Sequence, residues 1–410
     1  MASARAAKRA FFPLDEELAL LPGRLTPLLQ DHLAHLGSWM PFAKAASMLE
    51  RFTHVRVSKA TAQRHTEAIG IAYEAVQLAE VEHIEQDWPD VPEGPPKLVV
   101  GLDGAFVPVL PGEWAEVKTL VVGELGEPVE VKGEKVVPTH SLSYFSRLSE
   151  AETFQRLTLG ELYRRRLETA SQVAVVSDGA EWIQGFVDYH CPEALRILDF
   201  PHAAERICQI GEVVLGVGHA SLAAWQTRQL HLLKQSGPTD LVANLTSFAA
   251  QHLNDELVAE NLAYLNKRVP QLQYPTFQAQ GWPIGSGIAE SANKLVVEAR
   301  LKGAGMHWAR PSVNPMLALR NAVCNDRWDE AWQQSTAQIL RVGLVRRAVQ
   351  PKRVAAPEGA PALAPPIPAA AVVPQSDPIA PSKPVEKHPW RRTNYATKAR
   401  MAQAGVQARK

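Results

Sequence analysis

Two short apolar runs, about 75 residues apart, each deliver an aspartate and then a glycine, and this doubled pattern constrains the fold more than any other feature of the chain. The first is Lys97-Leu98-Val99-Val100-Gly101-Leu102-Asp103-Gly104, and the second is Val173-Ala174-Val175-Val176-Ser177-Asp178-Gly179. Near-continuous Val and Leu without polar alternation marks strands buried on both faces, the habit of parallel pairs covered by helices. Parallel strands need a long crossover, and the intervening chain supplies one: Glu113 to Glu124 and Lys135 to Phe145 read as antiparallel strands and Glu150 to Thr169 as a helix. As parallel neighbours, the two strands would place Asp103 and Asp178 side by side at one end of the sheet. An Asp-Gly after a single strand is ordinary turn chemistry. Two in the same register are different, because adjacent carboxylates repel unless a cation lies between them. A hard divalent ion with oxygen ligands, Mg²⁺ or Mn²⁺, is the expected partner.

A third acid would complete such a site, and the best-placed candidate is Glu290. It lies in Trp282-Pro283-Ile284-Gly285-Ser286-Gly287-Ile288-Ala289-Glu290-Ser291-Ala292-Asn293-Lys294, where a Gly/Ser loop opens a helix. Asn293 and Lys294 stand three and four residues on and share its face. Arg300, Lys302, His307 and Arg310 follow, a crowd of cations suited to a polyanion. Glu298 competes for the role but reads as a solvent-facing or ion-pairing residue. The Gly285-Ser286-Gly287 loop lacks the Walker lysine and the dinucleotide spacing, so it is not a phosphate-binding loop of those kinds. A further strand, Ala194 to Leu198, ends in Asp199 with His202 at a helix start. From Ala203 to about Leu272 the chain is helical throughout and reads as an inserted all-helical subdomain.

The 43 basic and 43 acidic residues cancel, which taken whole argues against a strongly basic nucleic-acid binder. Their distribution does not. Residues 351–410 carry ten basic residues against three acidic ones, leaving 33 against 40 in the rest. Eleven of the 31 prolines fall between Pro351 and Pro389, among Ala and Val without periodicity, the composition of an extended, disordered linker. It leads into His388-Pro389-Trp390-Arg391-Arg392, which reads either as a solvated tail or as an arm holding phosphates. Three cysteines without paired spacing fit a reducing, cytoplasmic setting, and no apolar window approaches membrane-spanning length. At 410 residues the chain is long enough for two or three domains, and Asp87 to Pro96, rich in proline, marks a boundary between helical and strand-rich parts.

Ahead of that boundary, Phe42, Ala45, Ala46, Leu49 and Phe52 form one helical stripe after Pro41. Ser58 then suits an N-cap for a second helix, Lys59 to about Glu74. The pair outlines a helix-turn-helix over about 41–74, whose second helix would offer Lys59, Thr61, Gln63 and Arg64 to DNA bases and phosphates. A plain helical hairpin with a polar face has the same outline.

Together these residues resemble the DDE transposases with an RNase H-like core, and most closely the Kra-type insertion-sequence transposases of the Mutator-like bacterial group. The resemblance rests on both Asp-Gly strands and on Asp199-x-x-His202. It rests also on Pro283-Ile284-Gly285-Ser286-Gly287-x-x-Glu290-x-x-Asn293-Lys294, on Arg300-Leu301-Lys302-x-x-Gly305-Met306-x-Trp308, and on His388-Pro389-Trp390-Arg391. It implies an α/β fold, an RNase H-like mixed sheet with helices. Residues 1–90 would be a helical DNA-binding region, 97–202 the first part of the core, 203–280 the insertion, 281–345 the last part of the core, and 351–410 the linker and tail. It implies metal ligation and catalysis by Asp103, Asp178 and Glu290, with Asp199 and His202 positioning DNA or the scissile phosphate. Two Mg²⁺ or Mn²⁺ ions would serve cleavage and strand transfer. Asn293, Lys294, Arg300, Lys302, Arg391 and Arg392 would join the N-terminal helices in holding double-stranded DNA, the element's terminal inverted repeats and its target, in a homodimer or larger assembly. Three rivals stand beside this expectation: a domesticated, non-catalytic DNA-binding protein on the same fold, an RNase H-type nuclease without strand transfer, and a metal-free hydrolase, such as a glycosidase, using paired carboxylates.

Overall fold

The computed structural model of the chain describes Leu21, residues 24–131 and residues 134–349. Two units are distinguished, 1–338 and 339–410, and of the second only residues 339–349, the end of a helix, are described. The proline-rich stretch and basic tail, 351–410, with Arg391 and Arg392, lie outside the described residues.

The N-terminal part is helical: α1 (Pro27–Trp39), α2 (Phe42–Thr53) and α3 (Lys59–Asp87). Pro41 precedes the first turn of α2, and the Ser58 hydroxyl caps α3 by accepting from the Thr61 amide at 3.1 Å. Phe42, Ala45, Ala46 and Leu49 are buried as the i, i+3, i+4, i+7 stripe requires, but Phe52, which continues that stripe, is 69% exposed. Helix α3 runs well past Glu74 because its second half finds partners on the sheet side. Glu74, Glu80 and Glu85 meet Arg147, Arg164 and Arg156 at 3.1, 2.9 and 2.8 Å. Gly70 allows a close approach to the chain at Pro315, where a Cβ would stand 2.4 Å from the carbonyl oxygen.

After an irregular proline-rich segment the chain enters β1 (Lys97–Val109), β2 (Glu113–Leu125), a small β3 (Val129–Val131) and β4 (Glu134–Val136) hairpin, and β5 (Thr139–Arg147). Helices α4 (Ala151–Leu157) and α5 (Leu159–Arg164) lead to β6 (Gln172–Ser177), α6 (Glu181–His190) and β7 (Leu195–Leu198). The main sheet is five-stranded and mixed, in the order β5-β2-β1-β6-β7. Strands β1, β2 and β5 pair antiparallel, whereas β1-β6 and β6-β7 are parallel. Both faces are covered, as the unbroken apolar runs demand. Leu98, Val100 and Leu102 pack with Phe154, Leu162, Ile183 and Phe186 on one side. Ala105, Val107 and Val109 lie on the other side, in a core with Val296, Val313 and Leu317.

The segment after β7 is all-helical, as expected, but divided into α7 (Phe200–Leu215), α8 (Leu222–Ser236), α9 (Pro238–Phe248), α10 (Glu256–Lys267) and α11 (Tyr274–Ala279). Breaks fall at Gly216, Gly218 and Gly237, with φ of 89°, 87° and 88°, a region that favours glycine. Trp225 anchors this subdomain, stacked on Phe248 with centroids 4.5 Å apart, and reaches α7 because Gly211 has no Cβ to meet its ring. The return to the sheet is a continuous helical rod: α12 (Gly287–Ala292), a π-helical turn (Asn293–Glu298) and α13 (Ala299–Leu301). Helices α14 (Arg310–Cys324) and α15 (Trp328–Val349) complete the described chain. Among the described residues no helix is long and apolar enough to cross a membrane.

Candidate active site

The parallel register pairs Gly101 with Val176, and each strand delivers its aspartate two residues further on. Asp103 and Asp178 therefore stand level on neighbouring strands, as expected, but only Asp178 follows a strand end: β1 runs on through Asp103 to Val109, because its later residues keep pairing with β2. Asp103 accepts from the Gly104 amide through Oδ1 at 2.7 Å and from Asn293 Nδ2 through Oδ2 at 2.9 Å. Burial pushes its carboxyl above the ordinary carboxylate value and the like charge of Asp178 adds to the rise, while the Gly104 and Asn293 hydrogen bonds and nearby His202 oppose it. Asp178 Oδ1 accepts from the Ala180 amide at 2.9 Å, closing a tight turn in which Gly179 takes φ 79°.

Asp199, fully buried at the end of β7, is held from both sides. Its Oδ1 accepts from the Ser286 amide at 2.7 Å, and its Oδ2 lies 2.7 Å from His202 Nδ1. The Asp199 hydrogen bond raises the His202 pKa, and the charges of Asp178 and Asp103 act in the same direction. The structure thus brings Asp103, Asp178, Asp199 and His202 together where β6 and β7 end beside the middle of β1.

Glu290 is placed differently. The rod carrying it rests on Gly101, where a Cβ would lie 3.1 Å from Ile288 and 3.2 Å from Ala289. The same rod sends Ser286 to Asp199 and Asn293 to Asp103, so Glu290 sits between two contacts with the acids. Its own carboxylate is exposed and 3.6 Å from Lys294 Nζ. Among the described residues no group of three or more His, Cys, Asp or Glu side chains is gathered closely enough to hold a metal ion. Glu298 pairs with Lys302 at 2.7 Å, in keeping with its reading as an ion-pairing residue.

Two residues expected on a DNA-facing surface are turned inward. Asn293 is buried and holds Asp103. Arg300, 1% exposed, donates through Nε to the Gly37 carbonyl at 2.9 Å, and its guanidinium lies 4.8 and 4.9 Å from the ring centroids of Phe42 and Trp308. Burial, with Arg320 adding to it, pushes its pKa down to about 10. For Arg300 the physical reason is the π-helical turn ahead of it, which inserts a residue and rotates the rest of the rod by roughly 100° relative to a regular helix. Arg300 is therefore a packing residue that ties the helical rod to the N-terminal helices. Lys294 and Lys302 remain exposed.

On the N-terminal helices, Lys59 and Arg64 are exposed, and Thr61 and Gln63 are partly so, with Gln63 donating to Glu67 at 3.0 Å. Lys44, Arg51 and Arg56 are further exposed cations on and beside α2, which their places on its polar positions would have disclosed. Tyr264 and Arg268 were not foreseen at all. The Tyr264 hydroxyl donates to the Asp178 carbonyl, and Arg268 Nη2 donates to the Gly179 carbonyl at 2.7 Å. Neither residue carries a local pattern pointing to a strand end more than 80 residues away.

No family model matches the chain, and no curated protein does. Among solved structures, the Drosophila P element transposase strand transfer complex is similar at 11% identity, over 79% of this chain and 86% of that one, with a TM-score of 0.26.

Proposed function

We propose that the chain is a DDE transposase with an RNase H-like core, of the Kra-type insertion-sequence group, that cuts the terminal inverted repeats of a bacterial element and joins them to target DNA. The observation that carries this reading is the level pair Asp103 and Asp178 on parallel strands. It is supported by the Asp199–His202 couple beside them and by the rod that reaches both. The donor set suits Mg²⁺ or Mn²⁺: oxygen ligands only, with Asp103 raised by burial and by a neighbour of like charge, the condition a cation relieves. Asp103 and Asp178 would hold the metal, with Glu290 the third ligand once released from Lys294. Bound there, as two ions, the metal would neutralise charge at a phosphodiester and make water a better nucleophile.

The chain's own residues have separable tasks. Asn293 and the Gly104 amide fix the direction of the Asp103 carboxylate. Asp199 holds His202 at Nδ1, which leaves Nε2 for a phosphate oxygen, and the Asp199 hydrogen bond, raising the His202 pKa, favours the protonated ring that could donate there. Water opens the strand to leave a 3′ hydroxyl, and the same site then presents that hydroxyl for in-line attack on a target phosphodiester, the target's own 3′ oxygen departing. Lys294, Lys302 and the exposed cations of the N-terminal helices, Lys59 and Arg64 with Thr61 and Gln63, would line the DNA path, in a helix-turn-helix role. Arg391 and Arg392 would also bind phosphates. Pairing two element ends makes a homodimer or larger assembly the working form.

A second reading, a non-catalytic DNA-binding protein on the same fold, is favoured by one observation: Glu290 stands in an ion pair, and no three-acid cluster is found among the described residues. Incubation with DNA carrying the flanking inverted repeats, with and without Mg²⁺, separates the two. Metal-dependent cleavage and joined products support the transposase. Binding without cleavage supports the regulator, and cleavage without joining marks a nuclease.

A further inference from the structure

We propose that the helical insertion sets the geometry of the second acid, with Tyr264 and Arg268 as positioning residues that hold the Asp178–Gly179 turn. This rests on the metal-dependent reading given above. The pairing of β6 ends at Val176 on the β1 side and at Ser177 on the β7 side, so Asp178 and Gly179 lie beyond the ladder. Their carbonyls need other donors, and both find them on the insertion. Tyr264 donates to Asp178 and Arg268 to Gly179. Contact is close enough to exclude a side chain on the turn: a Cβ at Gly179 would stand 2.7 Å from Arg268 Nε and 2.9 Å from the Tyr264 hydroxyl.

The clamp is itself stiff. The Arg268 guanidinium lies 3.8 Å from the Tyr264 ring centroid and donates through Nη1 to the Tyr264 carbonyl at 3.3 Å. Arg206 lies over the same ring at 4.8 Å and donates to Asn261 Oδ1 at 3.0 Å. A planar, stacked guanidinium loses little freedom on making such bonds, which suits it to fixing a backbone. Groups of this kind, one step removed from a metal ligand, typically change metal affinity by about 10–100-fold when lost.

The test uses the full chain and Mn²⁺ alone, without DNA. Arg268→Ala should weaken Mn²⁺ binding by about 10–100-fold, Arg268→Lys, which keeps the charge but loses the planar stacked group, should recover only part of the loss, and Tyr264→Phe, which removes only a hydroxyl, should weaken it by about tenfold. Hydrogen exchange of the peptide spanning 177–182 should quicken in Arg268→Ala and Tyr264→Phe while β1 peptides stay unchanged. A lower melting temperature with unchanged Mn²⁺ affinity would make Arg268 merely structural and overturn the proposal, as would unchanged exchange at 177–182. Should Arg268→Ala fail to fold, Tyr264→Phe decides by the same two readouts. If the wild-type chain binds no Mn²⁺ at all, the metal-dependent reading falls, and the exchange data still judge the clamp.

Discussion

Asp103→Asn should stabilise the protein at neutral pH while removing the proposed chemistry. Burial and Asp178 raise the Asp103 carboxyl above its ordinary value, so its ionised form carries a folding cost. By linkage, that cost is full above the folded-state pKa, fades as pH falls through it, and vanishes below the unfolded value of about 3.9. The substituted amide keeps an acceptor for the Gly104 amide. Its NH₂ would face Asn293 Nδ2, but Asn293 Oδ1 has no hydrogen-bond partner, and turning that amide over restores a donor–acceptor pair. One pKa unit corresponds to about 1.4 kcal/mol, so the measured gain reports the size of the shift directly, and solvent screening lessens it because Asp103 is only partly buried. Chemical denaturation at several pH values measures it directly. The variant should be more stable than the wild type at neutral pH, and the difference should shrink towards zero as pH falls below the unfolded value. A variant less stable at neutral pH, or a gain that ignores pH, would refute the electrostatic account of the site.

For His202, NMR titration should give a midpoint above 6.5, and Asp199→Asn should lower it; the stability supplied by the pair is complete below the unfolded pKa and is lost as pH rises through the folded one. Arg300→Ala should cost about 3 kcal/mol or more in thermal or chemical unfolding, since it removes a buried stack and leaves the Gly37 carbonyl unpaired. Arg64→Ala should instead leave stability within about 0.5 kcal/mol, weaken DNA binding, and reduce the salt slope measured by gel shift by about one. Equal behaviour of Arg300 and Arg64 in the two assays would contradict their separate placement.

Much of the sheet was legible because its signal is local. The unbroken apolar runs before Asp103 and Asp178 left few options except a buried parallel pair, and the structure pairs them in that register. The insertion was visible as a helical stretch, and its glycines at 216, 218 and 237 mark where it divides. The facing of Arg300 was not legible, because a 3.6-residue period cannot register the π-helical turn between Asn293 and Glu298, and that of Asn293 depends on Asp103, 190 residues away. The length of α3 was understated because the ion pairs that sustain it come from residues far along the chain, Arg147, Arg156 and Arg164. The same holds for Tyr264 and Arg268, whose partners are carbonyls and leave no pattern in sequence.

The central claim is that Asp103 and Asp178 are ligands of a metal that serves phosphodiester chemistry. Its most direct test is cleavage of DNA bearing the element's terminal repeats, followed across Mg²⁺ concentrations for the wild type, Asp103→Ala and Asp178→Ala, with DNA affinity measured alongside. Mg²⁺-dependent cutting is expected of the wild type, with its loss in both variants and nearly unchanged DNA binding. Cleavage that survives chelation, or survives in either variant, would contradict that claim.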